Sequence, residues 1–227
     1  MAEGYNEYQV SAVCDLVEAY TDDTTANAAL ALVRQGYLRF LQGVDPLNPN
    51  ADAHPWSFLH PKATLTLAAT NTAVNFPAGW GGLWAAPVYV RSDTVVLTEL
   101  EEVSLERLLA MRRDHVSTYT APPTHFAVSW NGTNWAIELF PTCDGSYTAT
   151  YGYRILPPDI TDAAVSFLGG AFYSNEIKDC AMAMAELHTG RTIGIWNAIA
   201  DRGLSAAIAR DKKYMISRDS QRMDIGY

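Results

Sequence analysis

The hydrophobic period of this chain changes twice, and that limits what it can fold into more than any single residue does. Between residues 6 and 43 apolar side chains recur every three or four positions; between about 61 and 156 they alternate; from about 172 to 213 the three-to-four spacing returns. A period near 3.6 puts one face of a helix on a core and a period of 2 does the same for a strand. The pattern predicts an α+β protein: a helical bundle formed by N- and C-terminal helices, an inserted, mostly antiparallel β domain, and an extended C-terminal tail. The segments are 1–60 for the N-terminal helices, 61–156 for the β-rich insertion, 157–213 for the C-terminal helices and 214–227 for the tail.

Val10, Val13, Cys14, Val17 and Tyr20 mark a helix over 6–20. Asp22, Asp23 and Thr24 offer an N-cap to a second helix, with Leu30, Val33, Tyr37 and Leu41 as its inner stripe and Gly43 past its end. Asp45 to Pro55 is turn chemistry throughout, hence a loop. In the middle, Ala63, Leu65 and Leu67 alternate with threonines, and 87–91 and 94–100 read as further strands. The runs through Phe126, Val128 and Trp130 and through Trp135, Ile137 and Leu139 are joined at Asn131-Gly132, the signature of a type I′ hairpin. Tyr147 to Ile155 alternates again, and Ser104 is placed to cap a helix over SLERLLAMRRD. Beyond Pro157-Pro158, Phe172, Ile177, Cys180, Met184 and Leu187 lead to a stop at Gly190. Ile193, Trp196, Ile199, Leu204, Ala207 and Ile208 then sketch a last helix to about Lys213.

The net charge of −9 argues against non-specific adhesion to nucleic acid. It is unevenly placed: residues 202–227 hold six basic and three acidic side chains, +3, which leaves −12 for residues 1–201. Cys14, Cys143 and Cys180 match no zinc spacing, which points to buried thiols in a reducing compartment. The start lacks a signal-peptide pattern and no window has the length of a membrane span, so folding in a cytoplasm is expected. The phosphate-loop, dinucleotide, nucleophile-elbow and HExxH motifs are absent, and His54, His60, His115, His125 and His188 are scattered with no helical pair. The expectation is therefore no enzyme, no cofactor and no metal site. Trp80 and Trp84 flank glycines in an apparent loop and are candidates for touching a partner. Fixing the fourteen-residue tail costs on the order of 1–2 kcal/mol of backbone entropy per residue, which its own side chains cannot recover in the monomer. Either it is disordered or a partner buries Tyr214, Met215, Ile216, Met223, Ile225 and Tyr227.

The stretches LVRQGYLRFLQG and HPWSFLHPKATLTL, then ELFPTCDGSYTATYGYRILP, then AMAMAE and AAIARDKK before a polar tail, resemble head-to-tail adaptor (connector) proteins of short-tailed bacteriophages. The resemblance implies a structural virion protein, a dodecamer in which twelve copies form a ring at the head-tail junction, made in the host cytoplasm. It implies as partners the chain itself, the portal protein, the tail nozzle and the tail fibres, with no membrane. DNA would pass through the ring without sequence-specific binding. The portal-contacting residues would be Tyr214, Met215, Ile216, Arg218, Arg222, Met223, Ile225 and Tyr227. The alternatives are another tail ring component, such as a tail terminator or tube protein, and a carbohydrate-binding β module using Trp80 and Trp84.

Overall fold

A computed structural model describes residues 8–22, 26–90, 97–115, 119–160, 166–190 and 194–223, the last eight of these as backbone alone. The elements in chain order are α1 (Val10–Thr21), α2 (Ala26–Gln42), β1 (Lys62–Leu67), β2 (Ala73–Asn75), β3 (Trp80–Val90), β4 (Leu97–Glu99) and β5 (Glu101–Glu102). There follow α3 (Leu105–Asp114), β6 (His125–Trp130), β7 (Trp135–Phe140), β8 (Tyr147–Ile155), α4 (Ser174–His188) and α5 (Ile195–Met223). The protein is α+β, with N- and C-terminal helices packed together and antiparallel sheets inserted between them. The chain divides into two compact units, Met1–Phe58 with Pro158–Tyr227, and Leu59–Pro157.

In the helical unit α4 packs against α1, α2 and α5. It can serve three neighbours because its buried positions are mostly small: Ala181, Ala183 and Ala185 lie beside Ile177 and Cys180. The closest approach is to α2, where a Cβ added to Gly36 would lie 2.4 Å from the Ala181 backbone. Only glycine permits that crossing. Because α4 is covered on several sides, its inward residues are not a single stripe; Leu187, expected inside, is exposed. On α2 the stripe is rotated relative to expectation, with Leu32 and Phe40 buried and Leu30 and Leu41 half-buried. Asp22 closes α1 in the left-handed region (φ 56°), its N–H donating to the Glu18 carbonyl. Asp23 and Thr24, expected to cap α2, lie outside the described residues, as does Ile193. Gly43 follows α2 at φ 62°, as its place past the helix end requires.

The largest difference is at the C-terminus. An extended tail was expected from Tyr214, but α5 continues without a break to Met223. The segment lacks an apolar period, which governs burial, but it also lacks Gly and Pro until Gly226 and is rich in residues that accept helix well. Helix therefore persists without an apolar period. Ile225 and Tyr227 lie outside the described residues.

Among the described residues the β unit contains two four-stranded sheets, ordered β1-β8-β3-β4 and β2-β7-β6-β5. Among the described strands all pairings are antiparallel except β5 with β6. Leu65, Leu67, Tyr89 and Tyr151 of the first sheet meet Phe126, Ile137 and Leu139 of the second in one core. The other side of the second sheet is covered by α3, where Leu108 packs with Ala127 and Phe140. That explains why β6 and β7 bury residues on both faces. Ser104 caps α3, its hydroxyl accepting from the Arg107 N–H at 3.2 Å.

The hairpin of β6 and β7 forms, with Trp130 opposite Trp135, so its loop is four residues and not the two of a type I′ turn. Gly132 takes the positive φ of 96°, while the Asn131 side-chain oxygen accepts from the Thr133 and Asn134 N–H groups. The stretch that holds Trp80 and Trp84, expected as a loop, is strand. It opens β3, whose pairing with β8 shifts register three times between Trp80 and Val88. A glycine in the neighbouring strand makes room for a ring of β3: a Cβ on Gly152 of β8 would lie 2.4 Å from the Trp84 ring.

Candidate functional site

The helical unit is held where α5 leaves its core. Asp211 continues the inner face of α5 formed by Ala200, Leu204, Ala207 and Ile208, and it has no solvent exposure. Four hydrogen bonds reach its carboxylate. His54 Nε2 lies 2.7 Å from Oδ2, which also accepts from the Ser57 N–H at 2.8 Å. The Ser57 and Tyr173 hydroxyls donate to Oδ1 at 2.6 and 2.8 Å. Burial on its own would raise the Asp211 pKa; the hydrogen bonds from His54, Ser57 and Tyr173 outweigh it and bring it down to about 2. The same contact works the other way on Tyr173, whose pKa is raised first by burial and then by the neighbouring carboxylate.

The local sequence builds this node. Gly43 lets the chain turn back at the end of α2, and its carbonyl accepts from the His54 N–H at 2.9 Å. Trp56 stacks on Phe40 with ring centroids 4.3 Å apart, and its indole N–H donates to the Phe40 carbonyl. The polar loop Asp45–Pro55 is thereby returned to α5, and Tyr173 enters from just before α4. Arg210, next to Asp211, pairs with Glu176 at 2.5 Å and lies over the Phe172 ring at 4.6 Å. One turn on, Tyr214 meets Phe172 edge-on at 5.7 Å.

Serine, histidine and aspartate here do not form a nucleophilic triad. An activated serine needs the imidazole on its own hydroxyl, with the carboxylate behind the imidazole. In this node the carboxylate is in the middle, and the serine hydroxyl gives its hydrogen bond to Asp211. The chemistry available is cross-linking: one buried anion ties together the loop after α2, the entry to α4 and the end of the packed part of α5. Among the described residues no group of histidine, cysteine and carboxylate side chains could hold a metal ion. No described helix is long and apolar enough to cross a membrane.

Of the expected portal-contacting residues, Tyr214 is exposed beside Phe172 and Met215 is half-buried. Ile216, Arg218, Arg222 and Met223 take backbone positions on the last turns of α5. The two tryptophans expected to meet a partner separate. Trp80 is only 8% exposed, stacked on Phe76 at 4.6 Å and 5.4 Å from Trp135, because strand pairing turns it into the sheet core. Trp84 remains 39% exposed, its ring lying over Gly152. The exposed tryptophan pair that sequence reading missed is Trp130 with Trp135, 5.5 Å apart at the hairpin end. Its signal was available in the two tryptophans flanking Asn131–Asn134.

A family model described as SU10 adaptor protein matches residues 8–223. No curated protein matches the chain.

Proposed function

The chain belongs to the SU10 adaptor protein family, phage head-tail adaptors, and on that footing we propose that it forms the ring joining the capsid portal to the tail nozzle and fibres. The observation that carries this is the length of the match, which takes in nearly all of both compact units, the whole of α5 included. Twelve copies, the number the resemblance implies, would surround the DNA without reading its sequence. A tail terminator or tube protein would also form rings, but its partners would be other tail proteins, and the family favours the position next to the head. The carbohydrate-binding alternative has little to stand on with the Trp80 ring in the sheet core.

In this reading the portal is gripped by the end of α5 and the residues after it, 214–227. Arginine together with large apolar side chains is a composition that interfaces favour, and Tyr214, Met215, Ile216, Arg218, Arg222, Met223, Ile225 and Tyr227 supply it. Asp211 gives the helix a fixed point of departure. The test is deletion of 216–227, which spares the Tyr214–Phe172 contact. The truncated protein should melt within a degree or two of the full chain, fail to bind the portal stably and give heads that lose their DNA. Infectious particles at normal yield from the truncated protein would remove this segment as the anchor.

A further inference from the structure

α5 buries one face, and among the described residues a second face, part apolar and part basic, stands exposed. Its inner residues, Leu204, Ala207 and Ile208 among them, are buried. Its outer residues Ile195, Ile199, Arg202, Ala206, Ala209 and Lys213 are spaced alternately four and three apart and all are exposed, Ile195 to 76%. That spacing puts them on one face, and four of the six are isoleucine or alanine, which lets a second helix approach. No acidic residue interrupts it. Exposed isoleucines beside basic residues suit contact with an acidic partner surface, and within the described residues α4 is the one helix that α5 packs against extensively.

A surface of opposite character lies on α1. Its outward residues Ala12, Asp15, Leu16 and Ala19 are likewise small, apolar or acidic, and exposed. Glu18 and Asp22 add negative charge, and α1 contains no lysine or arginine. α4 packs against both α1 and α5, which do not pack extensively on one another. The helical unit thus carries two different faces with matching small-residue texture and opposite charge. Rings need such an arrangement, because a head-to-tail contact joins unlike patches and leaves one of each free for the next copy.

We infer that the outer face of α5 in one copy docks on the outer face of α1 in the next, the acidic α1 face receiving Arg202 and Lys213. This rests on the ring reading and specifies its interface: small residues let the two helices approach closely, and the charges select α1 against α5 over either face against itself.

Cysteine cross-linking tests it even where association is weak. The native Cys14, Cys143 and Cys180 are buried, so single surface cysteines can be read with a flexible bis-maleimide. Purified Leu16→Cys alone and Ala206→Cys alone should stay monomeric on a denaturing gel. A mixture of the two should give dimers, and the double variant should give a ladder. Adding Asp15→Lys to the Leu16→Cys copy should lower the dimer yield several-fold, and adding Arg202→Glu and Lys213→Glu to its Ala206→Cys partner should restore it. The inference is overturned if the mixture links no better than an exposed control, Thr64→Cys, or if either single variant links to itself equally well. A yield that ignores Asp15→Lys overturns it as well. Should these results fail while micrographs of particles still show a ring of this protein, the ring stands and the α1–α5 contact does not.

Discussion

Removing the carboxylate of Asp211 leaves donors from His54, Ser57 and Tyr173 buried around an empty centre. Deleting one member of a buried charged network costs about 3–5 kcal/mol, because the remaining polar groups lose their partner away from water. Asp211→Ala should therefore lower the unfolding free energy by about that amount in urea titration, and Asp211→Asn, which keeps one acceptor oxygen, by less. The acid response follows from the same group. Its pKa is about 2 folded, below the ordinary value of about 3.9 in an unfolded chain, so the unfolded state takes up the proton first. The stabilisation is complete above about pH 4 and is lost as pH falls towards 2. Unfolding measured across that interval should be steeper for the native chain than for Asp211→Asn; equal slopes would show that other carboxylates dominate. Part of this node was legible beforehand. Asp211 falls in register with Leu204, Ala207 and Ile208, so an inward carboxylate could have been read from spacing. His54 could not, because its position depends on a loop returning 157 residues away in sequence.

Elements were legible in proportion to how local their causes are. The Ser104 cap, the β6–β7 hairpin and the Gly43 turn rest on a few neighbouring residues, and each is present. β3 was missed at its start because glycines beside tryptophans look like a loop until a second strand is there to take the ring, as Gly152 takes Trp84. The end of α5 was missed because an apolar period reports burial, and its absence says nothing against helix in a segment without Gly or Pro. Two substitutions test the elements directly. Gly36→Ala places a methyl 2.4 Å from the Ala181 backbone, which cannot yield as a flexible side chain would, so α2 and α4 must move apart. Overpacking of that kind costs about 1–3 kcal/mol or more, and the melting temperature should drop by several degrees. Ser104→Ala should cost only about 1 kcal/mol through the lost cap of α3. A Gly36→Ala protein as stable as the native chain would mean the two helices are not in close contact.

At the scale of the whole molecule, charge opposes assembly at long range and favours it at short range. Each copy carries −9 overall, with −12 on residues 1–201, so copies brought side by side repel. The proposed α1–α5 contact involves only a few opposite charges, but they lie within a few ångströms of each other once docked. Salt separates the two effects, since the Debye length falls from about 30 Å at 0.01 M to about 8 Å at 0.15 M. Moderate salt removes the repulsion between distant surfaces and leaves most of the close contact with its apolar part. The isolated protein should accordingly be monomeric or weakly associated at low salt, and sedimentation velocity should show its association strengthen as salt rises to physiological levels. A portal, by holding copies in place, would supply the local concentration that free copies lack. Stable rings of the purified protein at micromolar concentration and low salt would mean that subunit contacts outweigh the repulsion without help, and association that only weakens with salt would make charge attraction the main force between copies.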